Sequence, residues 1–413
     1  MKISVIIPIY DKLTLTIQCI ESIEKYSAFF REMEVIVVDD GPGDEAAEHF
    51  SNFTEKNKWL RYHKNPVNLK FAGTCNKGAV MATGKYLIFL NNDTEVTHNW
   101  DKYLLETIEK DRDIWMVGAK LLYPDGTLQH AGVYLPELTG QSFGHVYRTF
   151  PADFPPANFE KELQCVTAAC IMVRREDFIS LEGFDTAFLN GSEDIDLCLR
   201  VVEQGKKIIY QPQCVVTHFE SVSQGRFSYS KQNAERLAGK WQGKAQAYFR
   251  ERVEADIRNC INLGLMEKVH SYSAETGWAG FGAGNPNLEL IGEEITIALP
   301  AEIQQIQNDL FIWMECVASD HATIKLIYAP GAGSGEKLYK VQYLRPGVNQ
   351  VLFSLGNDIL PESLEFVFSG QRASIQFLSL SIYLFMKESA KVNLANSGNV
   401  WKTILEFFRL KKS

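Results

Sequence analysis

The eight cysteines form no CxxC pair and no dense cluster, and no apolar stretch approaches the ~20 residues that cross a bilayer as a helix. Scattered single cysteines exclude a disulfide framework and predict reduced thiols inside a cell. The apolar run in the opening MKISVIIPIYDK is too short for a secretion signal. Positive charge is also scarce: the net charge is -9 and the pI is near 5.5. That balance argues against general nucleic-acid binding, and an anionic substrate would need local help such as a metal ion. No internal repeat is present. What remains is a chain of 413 residues, 46% hydrophobic and 23% charged, long enough for two domains with a substantial core. The expected location is the cytoplasm, with contact at the inner face of the membrane left open.

Residues 1–230 alternate apolar runs with helical spacing. ISVIIPIY, MEVIVVDD, LRYHKN and KYLIFL read as strands, and segments such as FAGTCNKGAVMA read as helices. Continuous apolarity implies strands covered on both faces. The βαβα order therefore predicts a doubly wound, mostly parallel α/β sheet. Residues 231–265 read as a helical connector, and 266–390 as short alternating strands of a β-sandwich. In residues 396–413 apolar and basic side chains take opposite faces of an amphipathic helix. That helix suits either a membrane interface or docking against protein.

Ligands collect at the carboxyl ends of strands in such sheets, and acidic side chains follow two of these strands. Asp39 and Asp40 end MEVIVVDD; Asn91, Asn92 and Asp93 follow KYLIFL. For Asp93 the alternatives are a helix cap and a ligand for a hard cation whose shell is completed by water and phosphate oxygens. For Asp39 and Asp40 they are turn chemistry in DDGPGD and acceptance of hydrogen bonds from a base or ribose. In GSEDIDLCLR, Glu193 and Asp194 either complement a helix N-terminus or include a carboxylate that accepts a proton. Asp196 reads as solvated or supporting. His218 is a structural histidine or a neutral imidazole ligand, and its case turns on whether it meets Asp93 in space. Cys19, Cys75 and Cys198 read as core.

Taken in order, SVIIPIYDK, VIVVDDGPGD, NPVNLKFAGTCNKGA, YLIFLNNDTEV, LQHAGV, TAACIMVRRE, GSEDIDLCLR and VVTHFES resemble the family 2 glycosyltransferases, inverting enzymes of the GT-A fold. The likeness is strongest to bacterial members that build O-antigen, capsule and other surface polysaccharides. It implies that Pro8 and Tyr10 line a base pocket, with Asp39 on the base and Asp40 on the nucleoside. Asn68, Phe71, Ala72 and Asn76 would form the loop under the sugar nucleotide. Asp93 matches the last acid of the family's DxD motif, with Asn91 in place of the first. Asp194 matches the catalytic base, with Glu193 beside it, and His218 matches a histidine that completes the metal shell in some members. The implied cofactor is Mn²⁺ or Mg²⁺. The implied partners are a nucleotide-sugar donor, UDP-linked first and dTDP-linked second, and a saccharide acceptor, lipid-linked in this reading.

Two other readings stay open. A nucleotidyltransferase also sets acids on an α/β sheet, but it usually has a glycine-rich basic phosphate loop that IPIYDKLTLT lacks. A silent glycan-binding or scaffold protein is the other, against which Asp39, Asp93 and Asp194 argue. The C-terminal strands could bind glycan or pair two copies of the chain.

Overall fold

The computed structural model describes residues 2–134, 144–220, 228–244 and 249–263, and then 266–273, 277–280, 289–291, 294–298, 309–318, 322–328, 338–344, 347–355, 363–369 and 375–385. The chain divides into two compact units, residues 1–153 with 157–251 and residues 154–156 with 252–413.

The first unit begins with strand β1 (Ile3–Ile9), helix α1 (Leu13–Tyr26), β2 (Met33–Asp39), α2 (Glu45–Lys56), β3 (Leu60–Lys64), α3 (Lys70–Met81) and β4 (Tyr86–Leu90). Next come β5 (Thr94–Val96), α4 (Trp100–Glu109), β6 (Ile114–Leu122), β7 (Leu128–His130), β8 (Val133–Tyr134), β9 (Gly144–His145), β10 (Lys161–Leu163) and β11 (Cys170–Arg174). Helices α5 (Arg175–Ser180) and α6 (Glu193–Glu203), strand β12 (Lys207–His218) and helix α7 (Ser230–Trp241) complete it, and α8 (Phe249–Asn262) follows.

The ten-stranded sheet runs β10-β12-β6-β11-β4-β1-β2-β3, with β5 paired to β12 and β7 to β6. Strands β1 to β4 are parallel, and β12 is parallel to β6. Strand β11 lies antiparallel between β4 and β6. This is the mostly parallel α/β sheet expected from the alternating apolar runs. Successive side chains of a strand point to opposite faces, and both faces are covered. Val5 and Ile7 join Cys19, Ile20 and Trp100 on one side, while Ile6 joins Cys75, Ala79 and Ile195 on the other. Gly78 permits the approach of α3, since a Cβ there would lie 2.5 Å from Ile6 Cγ2.

One sequence expectation changes. The connector over 231–265 is broken after Trp241, where Gly243 takes φ 76°, a conformation that ends helices and suits glycine. Strand β12 is continuous from Lys207 to His218, with an irregularity between Gln211 and Val215.

Strands of the second unit are β13 (Met266–Ser273), β14 (Gly277–Gly280), β15 (Glu289–Ile291), β16 (Glu294–Ala298), β17 (Asp309–Ala318), β18 (Ala322–Tyr328), β19 (Leu338–Leu344), β20 (Gly347–Ser354), β21 (Ser363–Ser369) and β22 (Ile375–Phe385). They form two five-stranded sheets, β14-β13-β22-β17-β20 and β15-β16-β21-β18-β19, with antiparallel pairing. Ile312 and Met314 of β17, and Ile324 and Leu326 of β18, are fully buried at the period of two that a one-faced strand requires. The expected amphipathic helix over 396–413 lies outside the described residues.

A buried carboxylate ties β2 to its neighbours. Glu34 accepts hydrogen bonds from the Ser4 hydroxyl (2.7 Å), the Thr83 amide and hydroxyl (2.7 Å each) and Arg61 (3.0 Å). Burial pushes this carboxyl up, but the Thr83, Ser4 and Arg61 donors outweigh it and leave it below the ordinary glutamate value. Because the folded value is depressed, the stabilisation is present above the unfolded value and is lost as pH falls through the folded one. Glu34→Gln turns an amide donor toward these donors. We expect it to cost about 1–3 kcal/mol at pH 7 and much less in acid, read from urea unfolding of both proteins at each pH.

Candidate active site

The carboxyl ends of β1, β2 and β4 share one edge of the sheet with the end of β12 and the start of the antiparallel β11. The sequence candidates gather along it.

At the β2 end, Asp39 is almost fully buried. Its Oδ1 accepts from the Gly41 amide at 2.8 Å, and its Oδ2 accepts from the Tyr62 hydroxyl at 2.5 Å and lies 3.2 Å from Lys64 Nζ. An ionised carboxylate has about four acceptor positions, and these three partners leave one of them. Pro8 is half-buried beside this edge, and Tyr10 is 51% exposed, an aromatic face open to a planar ligand. Gly41 allows the turn to pass under Tyr10, because a Cβ there would lie 2.3 Å from the Tyr10 carbonyl oxygen.

Asp40 faces inward instead. Its carboxylate accepts from Asn65 Nδ2 (2.9 Å), the Leu69 amide (2.7 Å) and the Lys70 amide (2.9 Å), so it holds the start of α3. Asn68 Oδ1 accepts from the same Lys70 amide at 2.9 Å. The Phe71 amide donates to Asn190 Oδ1 at 3.2 Å, and Ala72 is buried in the core. Asn76 grips the Phe184 backbone from both ends, donating to its carbonyl at 2.8 Å and accepting from its amide at 2.9 Å. Asn92 donates to the Asp11 carbonyl (3.0 Å) and the Thr16 hydroxyl (2.9 Å), joining the loops after β1 and β4. Among the residues expected to touch the donor, Asp40, Asn76 and Asn92 thus spend these polar groups on shaping the edge.

Asp93 and His218 do converge. The pairing of β5 with β12 sets Thr94 opposite His218, and the Phe219 amide donates to the Asp93 carbonyl at 2.9 Å. His218 Nε2 then lies 3.1 Å from Asp93 Oδ1 and 3.3 Å from Asn91 Nδ2, with Asp93 and His218 both buried. The helix-cap reading of Asp93 is overturned, since a strand follows it. His218 Nδ1 lies 2.6 Å from Gln129 Oε1, an oxygen that can only accept, so the proton is on Nδ1. A neutral imidazole in that form aims the Nε2 lone pair at a carboxylate oxygen, and a proton or cation between them makes the approach favourable. Two ligands at ~2.1 Å and a right angle around an octahedral cation are ~3.0 Å apart, so the pair fits a hard divalent ion. Asn91 offers an N–H in this orientation and a carbonyl oxygen in the reverse one. Burial pushes the nearby Cys19 thiol up to about 12. No group of three His, Cys, Asp or Glu side chains gathers to hold a metal among the described residues.

Asp194 opens α6. Asn190, Gly191 and Ser192 before it take φ 51°, 153° and 73°, an uncommon run of positive φ that needs support from outside the loop. Asn233 supplies it, donating to the Leu189 carbonyl (2.9 Å) and accepting from its amide (3.1 Å). Glu193 is buried and accepts from the Gly191 amide at 2.6 Å. Asp194 accepts from the Ala168 amide (3.1 Å) and the Ile195 amide (2.8 Å). Desolvation outweighs these donors and raises its carboxyl above the ordinary aspartate range. Asp196, read from sequence as solvated or supporting, is fully buried and bonds Arg200 (2.8 Å), Trp241 Nε1 (2.9 Å) and Lys240 (2.7 Å).

Residues 4–181 match the family model described as Glycosyl transferase family 2. They form a family 2 glycosyltransferase domain. The O-antigen biosynthesis protein RfbC of Myxococcus xanthus is 30% identical to this chain over 228 residues, 54% of this chain and 18% of RfbC. The amylovoran biosynthesis glycosyltransferase AmsB of Erwinia amylovora is 26% identical over 236 residues, 54% of this chain and 72% of AmsB. The chain spans a quarter or less of the first curated relatives it matches. Among solved structures, GalNAc-T7 with UDP, GalNAc and Mn²⁺ superposes with a TM-score of 0.48 at 17% identity, over 58% of this chain and 48% of that one. The family 2 domain's mostly parallel α/β sheet is consistent with the GT-A fold.

Sequence reasoning missed Gln129, Asn233 and the Ala168 amide. LQHAGV carried the first of these as part of a matched motif, but nothing local to it points to His218. Because Asp40 accepts from the Leu69 and Lys70 amides, Asp40→Asn sets an amide donor against a backbone N–H. We expect a loss of about 1–3 kcal/mol, checked as a fall in thermal midpoint that occurs without any nucleotide present.

Proposed function

We propose that the first unit transfers a sugar, with inversion, from a nucleotide-sugar donor to a saccharide hydroxyl. The observation that carries this is the meeting of Asp39, the Asp93–His218 pair and Asp194 on one sheet edge. In this reading the base of the donor, UDP first and dTDP second, lies against Tyr10 with Asp39 accepting from it. Asp93 and His218, with Asn91 beside them, would hold Mn²⁺ or Mg²⁺. Such an ion, when bound, neutralises charge developing on the departing diphosphate.

Asp194 accepts the proton of the acceptor hydroxyl as its oxygen attacks the anomeric carbon from the face opposite the diphosphate. One displacement forms the new glycosidic bond, breaks the bond to phosphate and inverts the centre. The raised carboxyl suits this role, since a base works best when its proton affinity approaches the operating pH. The buried Glu193 holds the turn that presents Asp194. Named relatives in O-antigen and amylovoran biosynthesis support surface-polysaccharide synthesis, and a lipid-linked acceptor at the cytoplasmic face of the membrane accords with it. We take residues 1–230 as the transferase domain and 231–265 as its connector. The two C-terminal sheets, over 266–390, form a β-sandwich accessory domain in this proposal, for glycan binding or self-association. The segment over 396–413 is proposed as its membrane contact.

The test is nucleoside-diphosphate release from a panel of sugar nucleotides, with and without Mn²⁺ or Mg²⁺ and with glycan extract as acceptor. Metal-dependent release from one donor is expected. Asp194→Asn should lower kcat by about 10²–10⁴-fold while leaving donor binding in place, and Asp93→Ala should remove the metal response. Release indifferent to metal, or unaffected by Asp194→Asn, would sink the mechanism. The wild-type rate should fall in acid as Asp194 takes up its proton, with the limb centred above the ordinary aspartate value of about 3.9. A pH profile of kcat at saturating donor measures this.

A further inference from the structure

Gln129 is buried on β7, where the pairing with β6 is irregular between Leu121 and Leu122. Three of its polar atoms have assigned work. Its Nε2 donates to the His218 carbonyl at 3.3 Å, its Oε1 meets His218 Nδ1 at 2.6 Å, and its backbone carbonyl accepts from His145 Nδ1 at 3.0 Å. The first contact decides the second. With the amide nitrogen committed to a carbonyl, the oxygen is the end that faces the ring, so the ring must donate. His130, stacked edge-on against His145 with centroids 4.8 Å apart, is fully buried, and neither of its ring nitrogens has a hydrogen-bond partner. It offers Gln129 no competing hydrogen bond.

We propose that Gln129 is a positioning residue that locks His218 in the Nδ1–H form and thereby keeps the Nε2 lone pair turned toward Asp93 for a divalent cation. The assignment rests on the metal reading above. A histidine ligand whose other nitrogen donates to a fixed oxygen is oriented in advance and is more basic at the ligating nitrogen. Without that acceptor the ring is free to move its proton to Nε2, where it opposes a cation.

Mn²⁺ binding to the full chain, measured by titration calorimetry in the presence of UDP, tests the proposal without activity as the readout. Wild type should bind, and Asp93→Ala should not. Gln129→Met, close in volume but without an acceptor, should weaken Mn²⁺ affinity by about 10–100-fold. Gln129→Glu, which restores an acceptor, should recover at least the wild-type affinity. Wild-type affinity in Gln129→Met, or equal weakening in Gln129→Met and Gln129→Glu, overturns the assignment alone. Failure of the wild type to bind Mn²⁺ overturns the metal reading and the assignment with it.

A second measurement needs no substitution at Gln129. In spectra of the ¹⁵N-histidine-labelled wild type with Mg²⁺, the His218 resonance, identified by its loss in His218→Asn, should report a protonated Nδ1. An unprotonated Nδ1 overturns the proposal whatever the variants do.

Discussion

The antiparallel pairing of Thr94–Val96 with Val216–His218 is the constraint on which the candidate site depends. It joins the chain leaving β4 to the end of a strand three places away in the sheet, and so brings together two side chains 125 positions apart. The contact is set by backbone register, which is stiff, rather than by a loop. A slip of one residue would reverse the faces of both side chains. The buried helix α4 that follows β5 supports this register from below: Trp100 is fully buried and donates to Ser27, and Asp101 accepts from the amides of Ala28 and Phe29.

Around that pairing the chain keeps many carboxylates out of water, and their partners sort them into two kinds. Glu34, Asp40 and Asp196 are surrounded by donors from several elements and act as joints. A buried carboxylate without such donors would be costly. Asp194 accepts from backbone amides and keeps a raised carboxyl because desolvation prevails there. Asp93 faces the Nε2 of an imidazole whose Nδ1 meets the Gln129 side-chain oxygen. The proposed transfer gives its chemical roles to these last two, and the joints hold them in place.

Asparagine has a recurring part in that support. Asn76 and Asn233 each close on one residue's amide and carbonyl, Phe184 and Leu189, as a strand neighbour would. The second clamp lies just before the loop that leads to Asp194. Its run of positive φ has no regular hydrogen-bond ladder of its own, so the side chains of α3 and α7 take the place of one.

The sequence by itself determined the α/β sheet, because strands covered on both faces must be apolar at every position and ISVIIP, EVIVV and YLIFL are. It also determined that acids follow the ends of β2 and β4, and that Cys19, Cys75 and Cys198 are core. Helical spacing placed the start of α6, and with it Glu193 and Asp194. Which acids serve as joints was decided only in three dimensions. Asp39 and Asp40 are adjacent and alike in sequence, yet one faces the edge and the other the start of α3. The choice between a solvated and a supporting Asp196 stayed open because a helix surface and a buried helix face carry the same residue types until α7 packs there with Trp241. Gln129 was silent for the same reason: its oxygen matters only because β7 and β12, distant in sequence, end beside each other. Local spacing fixes which face a side chain takes, and tertiary pairing fixes what it meets there.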